Sequence, residues 1–304
     1  MIEPSTVDPS TVDSRRTNSD GYRLGRSYIA ASRLNLQHFM WKDAQKFLLH
    51  PTIQADLRRK RESSQTGSKE PIRVADLATG TGLWIFDLAK SADVSGLDIR
   101  YHGFDISRAL FPHAGWLPKN VVLSTSNLFE DPPEALQGQF DVVHVRLILS
   151  LIRSDSPKPI IQHIKKLLKP GGYLQWDELD PFSHYDVLTP ASDSNPPSVT
   201  ATFQRIKELA DWSWVAKLPQ TLLDEGFEEA IQGAHEPNSE MFKAWTYMDL
   251  CSAEELSLHW YGRDDEDGES WRRLIPKAYD EADESTGAIL RVRPTVTIAR
   301  RQLR

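Results

Sequence analysis

The stretch running from Val74 to Trp84, VADLATGTGLW, constrains the fold more than any other in this chain. A short apolar run ends in the acid Asp76. Gly80 and Gly82 come next, and apolar residues resume at Leu83. An apolar run closed by glycines reads as a buried strand entering a tight turn, and the apolar segment from Leu83 is able to open a helix. Glycines there let the backbone turn sharply and approach a ligand closely. The stretch is therefore a strand–loop–helix of the nucleotide-binding kind.

The pattern continues from it. Strands are predicted over 72–77, 102–106, 121–124, 140–145 and 173–176, with helical segments between them, for example Ile160–Leu168. Such alternation predicts a parallel sheet with helices on both faces. Ligands of these sheets bind beyond the carboxyl ends of the strands. Before the sheet, residues 22–61 read as helical, with Leu36, Phe39, Met40 and Phe47 spaced by three, four and seven. His50-Pro51 divides that region into two helices. Residues 63–70 are a polar linker. Residues 1–20 carry the pentapeptide PSTVD twice and read as a disordered tail.

After residue 180 the register changes. Phe203, Ile206, Leu209 and Ala210 mark one amphipathic helix, and Leu218–Glu225 another, ended by Gly226. A strand is predicted over 227–232, a helix over 241–259 and a closing strand over 289–299. The acidic run at 264–269 fails as a calcium loop. With Gly268 at the sixth position, Arg263 and Leu274 fall where acids are required. No metal is expected.

Composition excludes several classes. The formal net charge is −7, and the densest basic run, Arg58-Arg-Lys-Arg61, is read as a solvated helix end. No nucleic-acid partner is expected. A single cysteine, Cys251, excludes an intramolecular disulfide and fits a reducing compartment. No apolar run reaches the roughly 18–20 residues of a membrane helix. The expectation is a cytoplasmic protein without a membrane partner. Nine tryptophans suit either a core or an aromatic pocket for a flat ligand.

The glycine loop is not a dinucleotide fingerprint, because Ile85 stands where a third glycine belongs. It is not a P-loop either, because the loop lacks the Gly-Lys-Ser/Thr ending. Asp105, in GFDIS, lies 23 residues after Gly82 at a strand end, where a carboxylate accepts both ribose hydroxyls. Ser107 is the better helix cap there. Asn127 comes after the third strand and suits the edge of an adenine.

Taken in order, VADLATGTG, GFDIS, NVVLSTSNLFE, FDVVHVR and LLKPGGYL resemble the motif series of the class I S-adenosylmethionine-dependent methyltransferases. The match covers about 72–180, with a closing hairpin at 227–299. Ala78 stands where that family usually has glycine, and its methyl would narrow the approach of the methionine portion. YRLGRSYIAASRLNLQHFMWKDAQKFLLHP and QWDELD are similar to fungal methyltransferases of natural-product biosynthesis, whose relatives include regulators of secondary metabolism.

The resemblance implies a Rossmann-like α/β fold with a seven-stranded sheet. It implies an N-terminal helical cap at 21–62 and a methyltransferase domain at 71–304, with lid helices about 195–220 and 240–285. S-adenosylmethionine is the implied cofactor and S-adenosylhomocysteine the product. Gly80 and Gly82 would hold its methionine and ribose region, Asp76 would orient the loop or, through water, the methionine amine, and Asp105 would take the ribose. Ile106 and Leu128 would sandwich the adenine and Asn127 read its edge. Val145 and Arg146 would line the methionine side, and Tyr22, Tyr28 and Arg33 would close over the cofactor.

For a proton acceptor, His38 and Glu178 rank first, with His144 read mainly as a core histidine and Asp177 beside Glu178 at the strand end. Trp41, Trp84, Trp176, Phe182, Trp212 and Trp245 are the substrate-pocket expectations. The expected activity is O- or N-methylation of a small hydrophobic or aromatic natural product by a monomer or weak homodimer. The alternatives are a methyltransferase-like regulator and an S-adenosylmethionine-assisted pericyclase or dehydratase.

Overall fold

Strand β1 (Ile72–Leu77) runs between two parallel neighbours, β2 (Ile99–Asp105) and β4 (Phe140–Arg146). In the computed structural model, which describes residue 22 and residues 24–63, 70–152, 156–190, 196–259 and 266–303, these strands are the centre of a seven-stranded sheet. The predicted tail, most of the 63–70 linker and the start of the acidic run lie outside the described residues. β3 (Val121–Thr125) adds to β2 and β5 (Leu168–Glu178) adds to β4, both in parallel. β9 (Thr295–Arg301) then pairs antiparallel with β5 and with β7 (Phe227–Ala234). The order β3-β2-β1-β4-β5-β9-β7 is the expected α/β sheet. Central strands covered on both faces need near-continuous apolar runs, and four consecutive residues of β1 and of β4 are fully buried.

One face of the sheet is covered by α4 (Lys158–Leu167) and α6 (Trp214–Asp224), through Ile160, Ile164, Trp214 and Leu218 against Val143 and Trp176. The other face takes α2 (Pro51–Ser63) and α3 (Leu83–Leu88), through Ile53, Leu57, Trp84 and Ile85 against Val74 and Val142. The helix α1 (Tyr28–Gln45) starts at Ser27, whose hydroxyl accepts from the Ala30 N–H at 3.3 Å. It ends at Lys46 in the left-handed conformation, so Phe47 falls outside the helix. With α5 (Pro197–Glu208), α7 (Phe242–His259) and α8 (Glu266–Asp280), α1 forms a third core that includes Trp41, Phe203, Trp245 and Trp271.

Two expectations need correction. The closing strand over 289–299 is two strands in two sheets. β8 (Ile289–Val292) pairs with β6 (Tyr185–Leu188), and β9 begins after Arg293-Pro294. Pro294 has no N–H to give a ladder, which separates the two. The helix at 214–224 packs on the sheet beside β7 rather than with the lid, because Val215, Leu218 and Leu222 put its apolar stripe there.

Candidate active site

The loop after β1 carries the site. Ala78, Gly80 and Gly82 take φ values of +52°, +56° and +76°, so three of five consecutive residues are left-handed. Glycine adopts that region freely and alanine does not. Side chains hold the loop at both ends. Thr79 Oγ1 donates to Asp76 Oδ2 at 2.5 Å, and the Gly80 N–H donates to Asp105 Oδ2 at 2.9 Å. The Ser107 N–H donates to Asp105 Oδ1 at 3.1 Å. A carboxylate offers about four acceptor sites, so two bonds to backbone leave capacity for a ligand. Burial raises the Asp105 carboxyl above its usual range, opposed by those two N–H groups.

Beyond the carboxyl ends of β1, β2 and β4 lies a cavity of about 480 Å³, roofed by α1. Its lining brings together Tyr22, His38, Asp76, Ala78, Gly80, Trp84, Asp105, Ile106, Asn127, Leu128 and Arg146. These residues come from six separate chain segments, and all of them are site candidates by sequence. The Asn127 side chain makes local bonds, accepting from the Phe129 N–H at 3.1 Å and donating to Glu130 at 3.0 Å.

A polar row crosses the floor. His144 Nδ1 lies 2.6 Å from Asp76 Oδ1, and Nε2 lies 3.3 Å from Asp177 Oδ2. Trp84 stacks on the ring at 3.8 Å with planes 4° apart. Burial pulls the His144 pKa down, but the bonds to Asp177 and Asp76 outweigh it and the net shift is upward. Arg146 is next. Its guanidinium meets His38 Nδ1 at 3.2 Å and stands 5.8 Å over the Trp41 ring. His38 Nε2 meets Asp87 Oδ2 at 2.9 Å, and Lys42 holds the same carboxylate at 2.8 Å. Burial, then the field of Arg146, lowers the His38 pKa to about 4, against the pull of Asp87.

Several expected site residues lie elsewhere. Tyr28 is 80% exposed on the outer face of α1, while Arg33 is bonded to Glu255 at 2.8 Å. Val145 points into the core under α4, and Gly82 caps α3. Trp176 packs on Trp214 at 5.7 Å and Trp41 on Trp245 at 5.4 Å, all within cores. Trp212 is buried with its indole N–H donating to the Ile206 carbonyl, and Phe182 is 47% exposed away from the cavity.

Glu178 is a correction of another kind. It is buried behind the site, where its carboxyl accepts from the Ile148 and Leu179 N–H groups at 3.1 Å each. It fixes the turn after β4 and lies outside the cavity lining. His38 lines the cavity, but its ring nitrogens face Arg146 and Asp87.

Sequence reasoning passes over Arg26, Gln37, Leu147 and Ile148, all of which line the cavity. Leu147 is left-handed at φ +56°, a strained conformation for a branched residue. No sequence signal marks it. Gln37 is detectable as a polar residue on the inward side of α1, next to His38.

Known proteins share this domain. A family model described as a methyltransferase domain matches residues 40–252. The methyltransferase grgD of a Penicillium species is 38% identical over 113 residues, covering 36% of this chain and 39% of its own. The N-methyltransferase tcpN of Claviceps purpurea is 30% identical over 162 residues, covering 52% of each. The secondary metabolism regulator LAE1 of Hypocrea atroviridis is 30% identical over 112 residues, covering 36% of this chain and 29% of its own. The chain thus spans about half or less of the length of these curated relatives. Among the described residues no helix is long and apolar enough to cross a membrane. With most of its length matched by that model, the chain belongs to the methyltransferase-domain family, in agreement with its resemblance to the class I methyltransferases that take S-adenosylmethionine as cofactor.

Proposed function

We propose that this chain transfers the methyl group of S-adenosylmethionine to an oxygen or nitrogen of a small hydrophobic or aromatic natural product. The observation that carries the reading is Asp105, placed at the end of β2 with the Gly80 N–H on one oxygen and acceptor capacity left over. A P-loop or pyrophosphate site would present unopposed N–H groups instead. The cofactor brings its own activation, a methyl on a sulfonium, so the protein supplies alignment and a dry site.

Each part of the lining has a task under this reading. Asp105 takes the ribose hydroxyls. Ile106 and Leu128 flank the adenine, and the second amide hydrogen of Asn127 reads its edge. Asp76, engaged by Thr79 and His144, keeps the glycine loop in shape. Trp84, stacked on His144, and Tyr22, with the Arg26 guanidinium 4.7 Å over its ring, form the aromatic part of the wall. Arg146 closes the floor, oriented by His38.

The fungal resemblance of the N-terminal segment supports a natural-product acceptor in secondary metabolism. A reducing compartment, suggested by the lone Cys251, supports the cytoplasm, and a monomer or weak homodimer is the assembly proposed. The likeness to LAE1 favours a second reading, a regulator that keeps the fold and acts through protein partners.

Calorimetric titration with S-adenosylmethionine, S-adenosylhomocysteine and NAD tests the first reading. Binding of both adenosyl compounds in the micromolar range with NAD silent is expected. No binding at millimolar concentration would overturn it. Cofactor binding together with a stable protein complex, and no turnover on small acceptors, would favour the regulator.

A further inference from the structure

Among the described residues, the groups on the cavity wall that could take a proton are already engaged. His38 Nδ1 accepts from Arg146, and its Nε2 meets Asp87. His144 has an acid at each ring nitrogen, Asp76 and Asp177, and keeps its proton. Asp76 has Thr79 on its other oxygen. Asp105 holds the Gly80 and Ser107 N–H groups and is the ribose acceptor of the proposed site. Tyr22 stays a neutral phenol, because burial pushes its hydroxyl up to about 12.

The wall offers a donor where a base would be expected. Arg146 ends β4 and lines the cavity. A guanidinium carries five N–H bonds in a fixed fork. Among the described residues only one of them has a partner, the His38 ring at 3.2 Å. Asp177 and Asp76 reach Arg146 through their fields alone, and both are bonded to His144. None of the remaining nitrogens is sealed inside protein, so they open onto the cavity. A desolvated cation with unused donors is costly unless an anion completes it.

The position of Arg146 separates it from the nucleoside candidates. In the order β3-β2-β1-β4, Asn127 and Leu128 follow β3, Asp105 ends β2 and Arg146 ends β4. Arg146 therefore stands at the end of the cavity away from the adenine candidates, two strands or about 10 Å from Asp105. Leu147 and Ile148 follow it on the wall and supply apolar surface.

We infer that Arg146 holds the carboxylate of an organic acid with an apolar body, and that one oxygen of this carboxylate is the methyl acceptor. This rests on the methyltransferase reading and narrows its acceptor to a carboxylate oxygen. A carboxylic acid arrives ionised at neutral pH, whereas a phenol, with an ordinary pKa of about 10, would need a base. An ammonium would meet Arg146 with like charge. The guanidinium fork matches a carboxylate in shape as well as charge. A lone pair on the bound oxygen forms the bond to the methyl carbon, and the sulfonium–carbon bond breaks with its electron pair moving to sulfur. A methyl ester and a neutral thioether result, and no proton changes hands. The ester has lost the charge that Arg146 held, which favours its release.

The test titrates benzoate and indole-3-acetate, each beside its amide and its methyl ester, into the full chain saturated with S-adenosylhomocysteine. Each acid is expected to bind at least about tenfold tighter than its amide and its ester, the scale of one charge-assisted hydrogen bond. Arg146→Gln should abolish that preference and leave S-adenosylhomocysteine affinity unchanged. Arg146→Lys keeps the charge without the fork and should fall between. A loss of S-adenosylhomocysteine affinity in Arg146→Gln, with 5′-methylthioadenosine bound as in the wild type, would assign Arg146 to the carboxylate of the cofactor itself and overturn the inference. A preference absent from the wild type or retained in Arg146→Gln overturns it too, as does a failure of both acids to bind at millimolar concentration. Failure of S-adenosylhomocysteine to bind the wild-type chain is a separate result and falls on the methyltransferase reading.

Discussion

Arg146 donates from Nη2 to His38 Nδ1 at 3.2 Å. A guanidinium has no acceptor, so Nδ1 must be the bare nitrogen and Nε2 carries the hydrogen donated to Asp87. His38 is therefore a neutral imidazole whose lone pair is already used, which makes it a positioning residue for Arg146 rather than a base.

The pH dependence of stability comes from its pKa, lowered from 6.5 to about 4 by burial and Arg146. The unfolded chain binds the proton more readily, so stability is full above the unfolded value and falls as pH drops from 6.5 toward 4. The expected loss across that window is about 3 kcal/mol. Urea unfolding of the wild type and of His38→Asn at a series of pH values measures it. The variant should show a flatter profile by that amount, and equal slopes would refute the assignment.

His144 has the opposite sign. Burial opposes its charge, but Asp177 and Asp76 hold its pKa above 6.5. Its contribution is complete below the unfolded pKa and fades as pH rises through the folded one. Asp76→Asn should cost about 3 kcal/mol near pH 6, the scale for removing one partner of a buried pair. The cost should shrink at higher pH, where the ring is neutral in both proteins. Denaturant titration at two pH values tests this, and a pH-independent cost would mean that the loop bond to Thr79 dominates.

The sheet was legible because β1 and β4 are short apolar runs punctuated by glycines and acids, which only a buried strand accommodates. The loop residues were legible for the same reason, since a strand end fixes where Asp76 and Asp105 must stand. The tryptophans were not, because an indole buried in a core and one lining a pocket leave the same trace in a sequence. Strand alternation decides between them. Trp176 and Glu178 share the face of β5 that meets α6, while Asp177 points to the opposite face and His144. The register that sets Asp76 beside His144, and His144 beside Gln175, is a tertiary fact that no local pattern contains.

At Ala78 the backbone conformation matters more than the methyl. By sequence alone, the methyl narrows the approach to the methionine portion. The larger effect is the left-handed conformation, held at φ +52°. A left-handed residue with a Cβ costs about 1–2 kcal/mol, partly offset by the greater unfolded-state entropy of glycine. Ala78→Gly should stabilise the protein by about 1 kcal/mol and raise the melting midpoint by about 2 °C. Thermal denaturation reads it, and a lower midpoint would show that the surrounding bonds hold this conformation without strain.

Asp105 carries the proposed cofactor site, and its replacement separates binding from folding. Its two oxygens accept from Gly80 and Ser107, so Asp105→Asn turns one acceptor into a donor facing a backbone N–H. It also removes the charge that would hold the ribose hydroxyls. Hydrogen bonds to a charged group contribute about 1.5–3 kcal/mol, so weakening two predicts roughly 100-fold lower affinity for S-adenosylhomocysteine. Asp105→Glu keeps the charge but displaces it by one methylene, and should fall between Asp105→Asn and the wild type. Calorimetry on the three proteins, with far-ultraviolet dichroism to check the fold, gives the order. Wild-type affinity in a folded Asp105→Asn would reduce Asp105 to a cap for the turn at Ser107 and move ribose recognition elsewhere on the cavity wall.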